Sequence, residues 1–304
     1  MVGRDRELAR VTRLLDDAVA GRGRLVLCTG EAGIGKTRLA EEAAALAAAR
    51  GVPVAWARAA DRGSSPPYGL WRMVLDDPAV RAGDGEASRA DRWSAVFGEA
   101  ERAAVAEGAD SGSARRFALF AEVRRRLMEA ARPSGLVLVL DDLQWADEAS
   151  AALLTDVVRQ LRGTPILVFA TQRDSAAPGE VSAGLLQGLS ADANTERVDL
   201  RGLTASAVGD ILLAAGLPTS AKTAGEVHSE TEGNPFLVRE LALMLVEERR
   251  GGLGSVPGRV VEATAYRLAQ LSGPARELLQ AAAVGPAVAD RHLVRDRPAP
   301  GGPA

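Results

Sequence analysis

Cysteine and histidine are scarce in this chain of 304 residues, and both shortages limit what the protein can be. The single cysteine, Cys28, excludes a disulfide within the chain, and its place in an apolar run predicts a buried small side chain rather than a nucleophile. The only histidines, His228 and His292, lie far apart in the sequence and indicate no metal site. We therefore expect neither a disulfide scaffold nor a histidine-based metal centre.

Long apolar runs and an excess of basic charge are missing as well. The longest apolar stretches fall well short of the roughly 20 residues of a membrane span, and the N-terminus is polar, without the apolar core of a signal peptide. The formal net charge is -3 and the pI is about 5.7, which gives no general basic field for non-specific binding of nucleic acid. We expect a cytoplasmic protein that makes no contact with a membrane.

Lysine is rare too, and its rarity makes each lysine informative. Among 37 basic residues only Lys36 and Lys222 are lysine. Lys36 belongs to the pattern Gly30-x-x-x-x-Gly35-Lys36-Thr37, which follows a predicted strand and opens a predicted helix, as a P-loop does. A compact ammonium suits a phosphate cradle, where a guanidinium is a poor replacement. The alternative, a glycine-rich connector without function, is disfavoured by this context.

The P-loop pattern predicts binding of ATP or ADP. Its glycines let backbone N–H groups surround the phosphates, and the helix N-terminus adds partial positive charge. We expect Lys36 to reach the outer phosphates and the Thr37 hydroxyl to bind Mg²⁺. The residues predicted to contact the nucleotide in this stretch are Gly30, Glu31, Ala32, Gly33, Ile34, Gly35, Lys36, Thr37 and Arg38.

Two carboxylates end the apolar run 136–140, in the arrangement called Walker B. We expect this run to form a strand that neighbours the P-loop strand, because ligands gather at the carboxyl ends of parallel strands. Asp141 would then hold Mg²⁺ through water, and Asp142 would orient or deprotonate the attacking water. Two acids after a strand often form only a helix cap or a solvated turn, and the P-loop upstream favours the catalytic interpretation.

A third apolar run, 166–170, leads to Arg173. Its polar end is expected at the same edge of the sheet, where Arg173 is a candidate sensor of the phosphates and Thr171 a weaker one. The alternative, in a chain this rich in arginine, is that Arg173 is a surface residue that starts a loop.

Strands alternate with helices along the chain, which predicts an α/β fold with a doubly wound, mainly parallel P-loop NTPase sheet. We expect the P-loop domain at residues 1–204, with a helical insertion at 61–132. A small helical lid domain is predicted at 205–250, followed by a linker at 251–255 and a disordered tail at 291–304.

Four stretches occur in the order seen in AAA-like STAND ATPases: residues 2–8, the P-loop, residues 141–147 and the sequence Gly-Asn-Pro-Phe at 233–236. Over residues 1–285 the chain resembles the ATPase module of large bacterial LuxR-family regulators. The resemblance implies that the backbone at Val2 and Gly3 and the ring of Pro235 flank the adenine. It also implies that residues 256–290 are the first part of a winged-helix domain.

The resemblance further implies a switch ATPase in a signalling or transcription-regulatory protein, closed with ADP and opened by exchange to ATP. Hydrolysis of ATP would be slow and would reset the switch. ATP or ADP and Mg²⁺ are the expected cofactors, and self-association or signalling domains the expected partners. Two alternatives stay open: a nucleotide-binding scaffold fragment without catalysis, and a small-molecule P-loop kinase.

The sequence departs from this group in two ways. Gln144 stands where members often carry histidine, which leaves both carboxylates of Walker B in place. In addition, no effector-sensing repeats and no DNA-binding helix-turn-helix are visible in this chain, so we expect a truncated gene product.

Overall fold

The computed structural model describes residues 1–59, 66–81, 97, 109–174 and 188–249. All of these residues belong to one compact unit, Met1–Leu253. The linker, winged helix and tail expected at 251–304 lie outside the described residues, as does much of the insertion expected at 61–132.

A parallel sheet of five strands forms the centre of the described unit. Its strands are β1 (Arg24–Gly30), β2 (Val54–Arg58), β3 (Leu136–Asp141), β4 (Ile166–Arg173) and β5 (Thr195–Asp199). They lie in the order β2-β3-β4-β1-β5, and every neighbouring pair is parallel. The predicted parallel α/β sheet is confirmed.

Helices cover both faces of this sheet. Along the chain they are α1 (Asp5–Val19), α2 (Lys36–Ala49), α3 (Gly69–Asp76), α4 (Pro78–Arg81), α5 (Ala109–Ala131) and α6 (Glu148–Arg159). A 3-10 turn, Leu143–Trp145, precedes α6. Three more helices follow the sheet: α7 (Ala205–Ala214), α8 (Ala221–Thr231) and α9 (Pro235–Arg249).

Side chains of β3 alternate between two hydrophobic cores, as successive residues of a strand must. Leu138 and Leu140 pack into a core with α3, α5 and α6. Val137 and Val139 pack into a second core with α1 and α2, which also contains the fully buried Phe169. Because both faces are covered, β3 is an uninterrupted apolar run, as expected for a strand buried on both sides.

A third core forms among the helices after β5, where buried residues of α7, α8 and α9 pack together. Leu203, Val208 and Val238 belong to it. This helical group is stabilised by its own apolar contacts. Its last helix, α9, begins directly beside the P-loop.

The strand order corrects one expectation. The acidic strand β3 does not neighbour the P-loop strand β1, because β4 lies between them and pairs with both. The apolar runs of β3 and β4 are equally suited to a central position, so their hydrophobic pattern does not decide which one is innermost. The carboxyl ends of β1, β4, β3 and β2 nevertheless meet at one edge of the sheet, and that edge carries the candidate site.

Candidate nucleotide-binding site

The loop between β1 and α2 requires glycine at two points. Gly33 has φ +76°, a left-handed conformation, and a Cβ added there would lie 2.8 Å from the Cβ of Phe236. At Gly30, with φ +148°, an added Cβ would lie 2.7 Å from the carbonyl oxygen of Leu200. Both positions are therefore packed closely against neighbouring residues, and only glycine fits there without a shift.

Lys36 is the first residue of α2, and its side chain turns back into the loop. The Nζ atom donates to the carbonyl oxygens of Gly30 and Glu31, each at 2.8 Å. Lys36 is only 7% exposed, and this burial lowers its pKa below the usual value for lysine. The charge of Asp142 acts in the opposite direction and raises this pKa. The ammonium is thus held within the cradle where phosphate oxygens are expected.

Thr37 and Asp141, the two residues predicted to hold Mg²⁺, are brought into contact although 104 positions separate them. The Thr37 Oγ1 atom lies 3.1 and 3.2 Å from the two carboxylate oxygens of Asp141. Asp141 is completely buried, and Thr171 donates a hydrogen bond of 2.6 Å to its Oδ1. A hydroxyl beside a carboxylate offers the oxygen ligands that Mg²⁺ prefers, so these residues fit the ion.

Arg58 also contacts Asp141, and no motif in the sequence predicts this. It is the last residue of β2, and its Nε donates to the Oδ2 of Asp141 at 2.9 Å, while its Nη2 bonds to the same oxygen. This hydrogen bonding raises the pKa of Arg58. One arginine among many carries no motif, and the signal lies in the pairing of β2 with β3, which sets Arg58 opposite Asp141.

Asp142, the predicted catalytic carboxylate, has a left-handed backbone with φ +59° and ψ +48°. A non-glycine residue in this region costs about 1–3 kcal/mol, and such strain clusters at functional sites. Its backbone N–H donates to the Thr171 hydroxyl at 2.9 Å. Gln144 donates from Nε2 to its carboxylate at 3.0 Å. The side chain is therefore held at the edge of the sheet while it stays partly exposed.

Arg173, the predicted phosphate sensor, ends β4 opposite Gly30 of the P-loop strand. The centre of its guanidinium lies 5.9 Å from the centroid of the Trp145 ring, within range of a cation–π contact. Its backbone N–H donates to the Oε1 of the buried Gln144 at 3.3 Å. Gln144 therefore connects Asp142 to Arg173, a role that its sequence position did not reveal.

The residues predicted to flank the adenine lie on two segments of the chain, and both segments contact the P-loop. Val2 and Gly3 are exposed at the N-terminus, and the buried Arg4 that follows donates to the carbonyl oxygen of Ile34 at 3.2 Å. The half-buried Pro235 begins α9. Their neighbours thus tie both segments to the loop.

The start of α9 contacts the P-loop directly. Asn234, which is buried, donates from Nδ2 to the carbonyl oxygen of Ala32 at 3.0 Å. The backbone N–H of Phe236 donates to the carbonyl oxygen of Gly33 at 3.3 Å. The backbone of the P-loop is therefore hydrogen-bonded directly to the start of α9.

The other loop residues are placed as follows. Glu31 and Ala32 are exposed, and Ile34 is buried in the core with α1 and α2. Arg38 faces solvent, where it pairs with Glu41 and Glu42.

A cavity of about 390 Å³ lies on the β5 side of the loop. Glu31 and Ile34 line it, but Lys36, Thr37 and Asp141 do not. The groups predicted to hold the phosphates and Mg²⁺ thus lie outside the lining of this cavity.

The site defines a class of protein. The P-loop joins a buried strand to a helix, keeps its lysine within the loop and sets its threonine against a buried carboxylate on another strand, an arrangement typical of P-loop nucleoside triphosphatases. The family is narrower: the sequence matches the AAA ATPase domain family over residues 1–169, and the chain belongs to that family. Membership implies nucleotide binding and ATP hydrolysis. None of the helices in the described ranges is both long and apolar enough to cross a membrane.

Comparison with individual proteins gives distant relatives. An uncharacterized protein of Rhizobium meliloti is 26% identical over 195 residues, which are 58% of this chain and 19% of that protein. Among solved structures, a STAND protein with a tetratricopeptide repeat sensor from Pyrococcus horikoshii is 16% identical, with a TM-score of 0.45 over 77% of this chain and 28% of that one. A RuvB variant from Thermotoga maritima is 15% identical, with a TM-score of 0.46 over 88% of this chain and 70% of that one. The family assignment rests on the sequence match alone.

Proposed function

We propose that this chain is the ATPase unit of a STAND-type switch, which binds Mg-ATP, hydrolyses it slowly and reports the nucleotide state through α9. The observation that carries the proposal is the pair of hydrogen bonds from Asn234 and Phe236 to the P-loop backbone. Because a nucleotide would bind to the same loop, its arrival and its hydrolysis would act directly on α9.

The residues of the site would divide the chemistry as follows. Lys36 would exchange its bonds to the loop carbonyls for bonds to the outer phosphates, which form stronger, charge-assisted pairs. Thr37 and Asp141 would hold the Mg²⁺ ion, which neutralises charge on the phosphates when bound. Asp142 would orient the attacking water, and Arg173 would stabilise the charge of the transferred phosphoryl group.

Gln144 supports a coupled response of Asp142 and Arg173. It donates to the carboxylate of one and accepts from the backbone of the other, so a shift of either residue would displace its partner. In this proposal the water-orienting group and the phosphate sensor move together when the outer phosphate is lost. Val2, Gly3 and Pro235 would flank the adenine, as the family resemblance implies.

The switch would act on other domains or proteins, of which we propose only the kind. The chain spans 19% of the length of the Rhizobium meliloti protein and 28% of the Pyrococcus horikoshii protein. We propose signalling domains or a second copy of the chain as partners, and a regulator of the LuxR family as the setting.

Asp142→Asn tests the catalytic assignment. We expect it to leave ATP binding almost unchanged and to reduce turnover by about 10²-fold or more, because the carboxylate that orients water is lost while Asp141 stays. Phosphate release and binding of a fluorescent ATP analogue would be measured on the same samples. Asp210→Asn, the same charge change at an exposed position on α7, is the control. Equal turnover in all three proteins would remove Asp142 from the mechanism, and binding without turnover in the wild type would favour the scaffold alternative.

A further inference from the structure

Arg58 occupies the carboxylate that the magnesium ion is expected to use. Two of its N–H groups, on Nε and Nη2, bond to the Oδ2 of Asp141. The Oδ1 atom accepts from Thr171, and Thr37 lies within 3.2 Å of both oxygens. An ionised carboxylate has about four acceptor positions, and these donors fill them. If Asp141 is to hold Mg²⁺ as well, one of these donors would therefore have to leave.

Arg58 is the donor that can leave. Its side chain is 54% exposed, whereas the side chain of Asp141 is completely buried and fixed by Thr171. Both Arg58 and Mg²⁺ are cations, so their simultaneous presence at one carboxylate is opposed by like-charge repulsion. Water can solvate the guanidinium once it swings outward, which makes its release far less costly than movement of Asp141.

We propose that Arg58 closes the magnesium site in the nucleotide-free protein and leaves Asp141 when Mg-nucleotide binds, so that this arginine sets how strongly nucleotide affinity depends on Mg²⁺. The inference rests on the function proposed above. Arg58 acts through Asp141 and is therefore a positioning residue: it compensates the buried charge until the ion takes over that role.

The proposal predicts opposite effects of Arg58→Ala in two conditions. With excess Mg²⁺ the variant binds a fluorescent ATP analogue more tightly, because no arginine has to be displaced. With EDTA it binds more weakly, because the uncompensated Asp141 repels the phosphates. A charge-assisted pair of which one member is half exposed supports a change of roughly fivefold in each direction. We define the Mg²⁺ ratio as the affinity in excess Mg²⁺ divided by the affinity in EDTA. In Arg58→Ala this ratio is thus expected to rise by more than about tenfold.

Arg22→Ala is a matched control. Arg22 also bonds through Nε and Nη2 to a single oxygen, Oδ1 of Asp17, and its side chain is 63% exposed. It precedes β1 and so lies near the amino end of that strand, whereas the P-loop follows its carboxyl end. We expect this variant to keep the wild-type ratio. Arg58→Lys, which keeps the charge but loses the planar fork, should give an intermediate ratio.

The outcomes separate the two claims. If the wild type binds the analogue but Arg58→Ala keeps the wild-type ratio, the role of Arg58 is wrong while the proposed function stands. If Arg58→Ala weakens binding equally with and without Mg²⁺, Arg58 contacts the nucleotide itself and the competition is refuted. If the wild type shows no Mg²⁺-dependent binding, the proposed function fails first. Thermal unfolding with EDTA would establish that each variant is folded.

Discussion

Gly33→Ala would perturb the P-loop at its contact with α9. The residue has φ +76°, and the new Cβ would lie 2.8 Å from the Cβ of Phe236 and 3.1 Å from the Oδ1 of Asn234. The Cβ of Phe236 is fixed to its backbone and cannot turn away, so the backbone of the loop or of α9 has to move. The substitution therefore combines a strained conformation with a steric clash.

The two contributions can be separated with Gly216→Ala. Gly216 has φ +80°, almost the same conformation, but an added Cβ there meets nothing within 4 Å. We expect Gly216→Ala to lower the free energy of unfolding by about 1 kcal/mol through backbone strain alone. Gly33→Ala should add about 1–3 kcal/mol of overpacking, for a total of about 2–4 kcal/mol.

Urea unfolding of both variants and the wild type would measure the difference in stability, and titration with a fluorescent ATP analogue would measure binding. We expect Gly33→Ala to weaken binding by about tenfold or more, because the displaced loop misaligns its N–H groups, and Gly216→Ala to leave binding unchanged. The reasoning is refuted if both variants lose the same stability, or if Gly33→Ala binds nucleotide as the wild type does.

Two further predictions concern other parts of the unit. Pro235→Ala should shorten the retention of ADP, measured as the dissociation rate of a fluorescent ADP analogue, and an unchanged rate would remove Pro235 from the adenine site. Burial raises the pKa of the Cys28 thiol to about 12. The folded protein should therefore show almost no reaction with a thiol reagent from neutral pH up to about pH 9, whereas the unfolded chain reacts readily. Rapid labelling of the folded chain would contradict the buried position of Cys28 in β1.

The parts of the site that are local in sequence could be predicted, because one stretch of chain contains all their atoms. The P-loop with Lys36 is such a part, since strand, turn and helix follow each other without a break. The parallel sheet also follows from the alternation of apolar runs and helices. The first of these signals lies within one segment and the second in the order of segments along the chain, so neither depends on which strands are neighbours.

The remaining parts depend on how strands pair, and the hydrophobic pattern does not determine that. Whether β3 or β4 is innermost cannot be read from two apolar runs of similar character. The pairing of β2 with β3 sets Arg58 beside Asp141, and the pairing of β3 with β4 sets Thr171 there as well. Arg58 therefore escaped notice, and Thr171 seemed a weak candidate although it fixes the buried carboxylate.

The central claim is that Lys36 binds the phosphates of ATP, and the chain provides its own control in its only other lysine. Lys222 is 87% exposed on α8, where the Oε1 of Glu226 lies 3.9 Å from its Nζ. Equilibrium titration with a fluorescent ATP analogue in excess Mg²⁺ would compare the wild type with Lys36→Ala and Lys222→Ala. Loss of a charge-assisted contact to phosphate predicts binding at least about tenfold weaker in Lys36→Ala and unchanged in Lys222→Ala. Equal affinity in all three proteins, or no saturable binding to the wild type, would contradict the account.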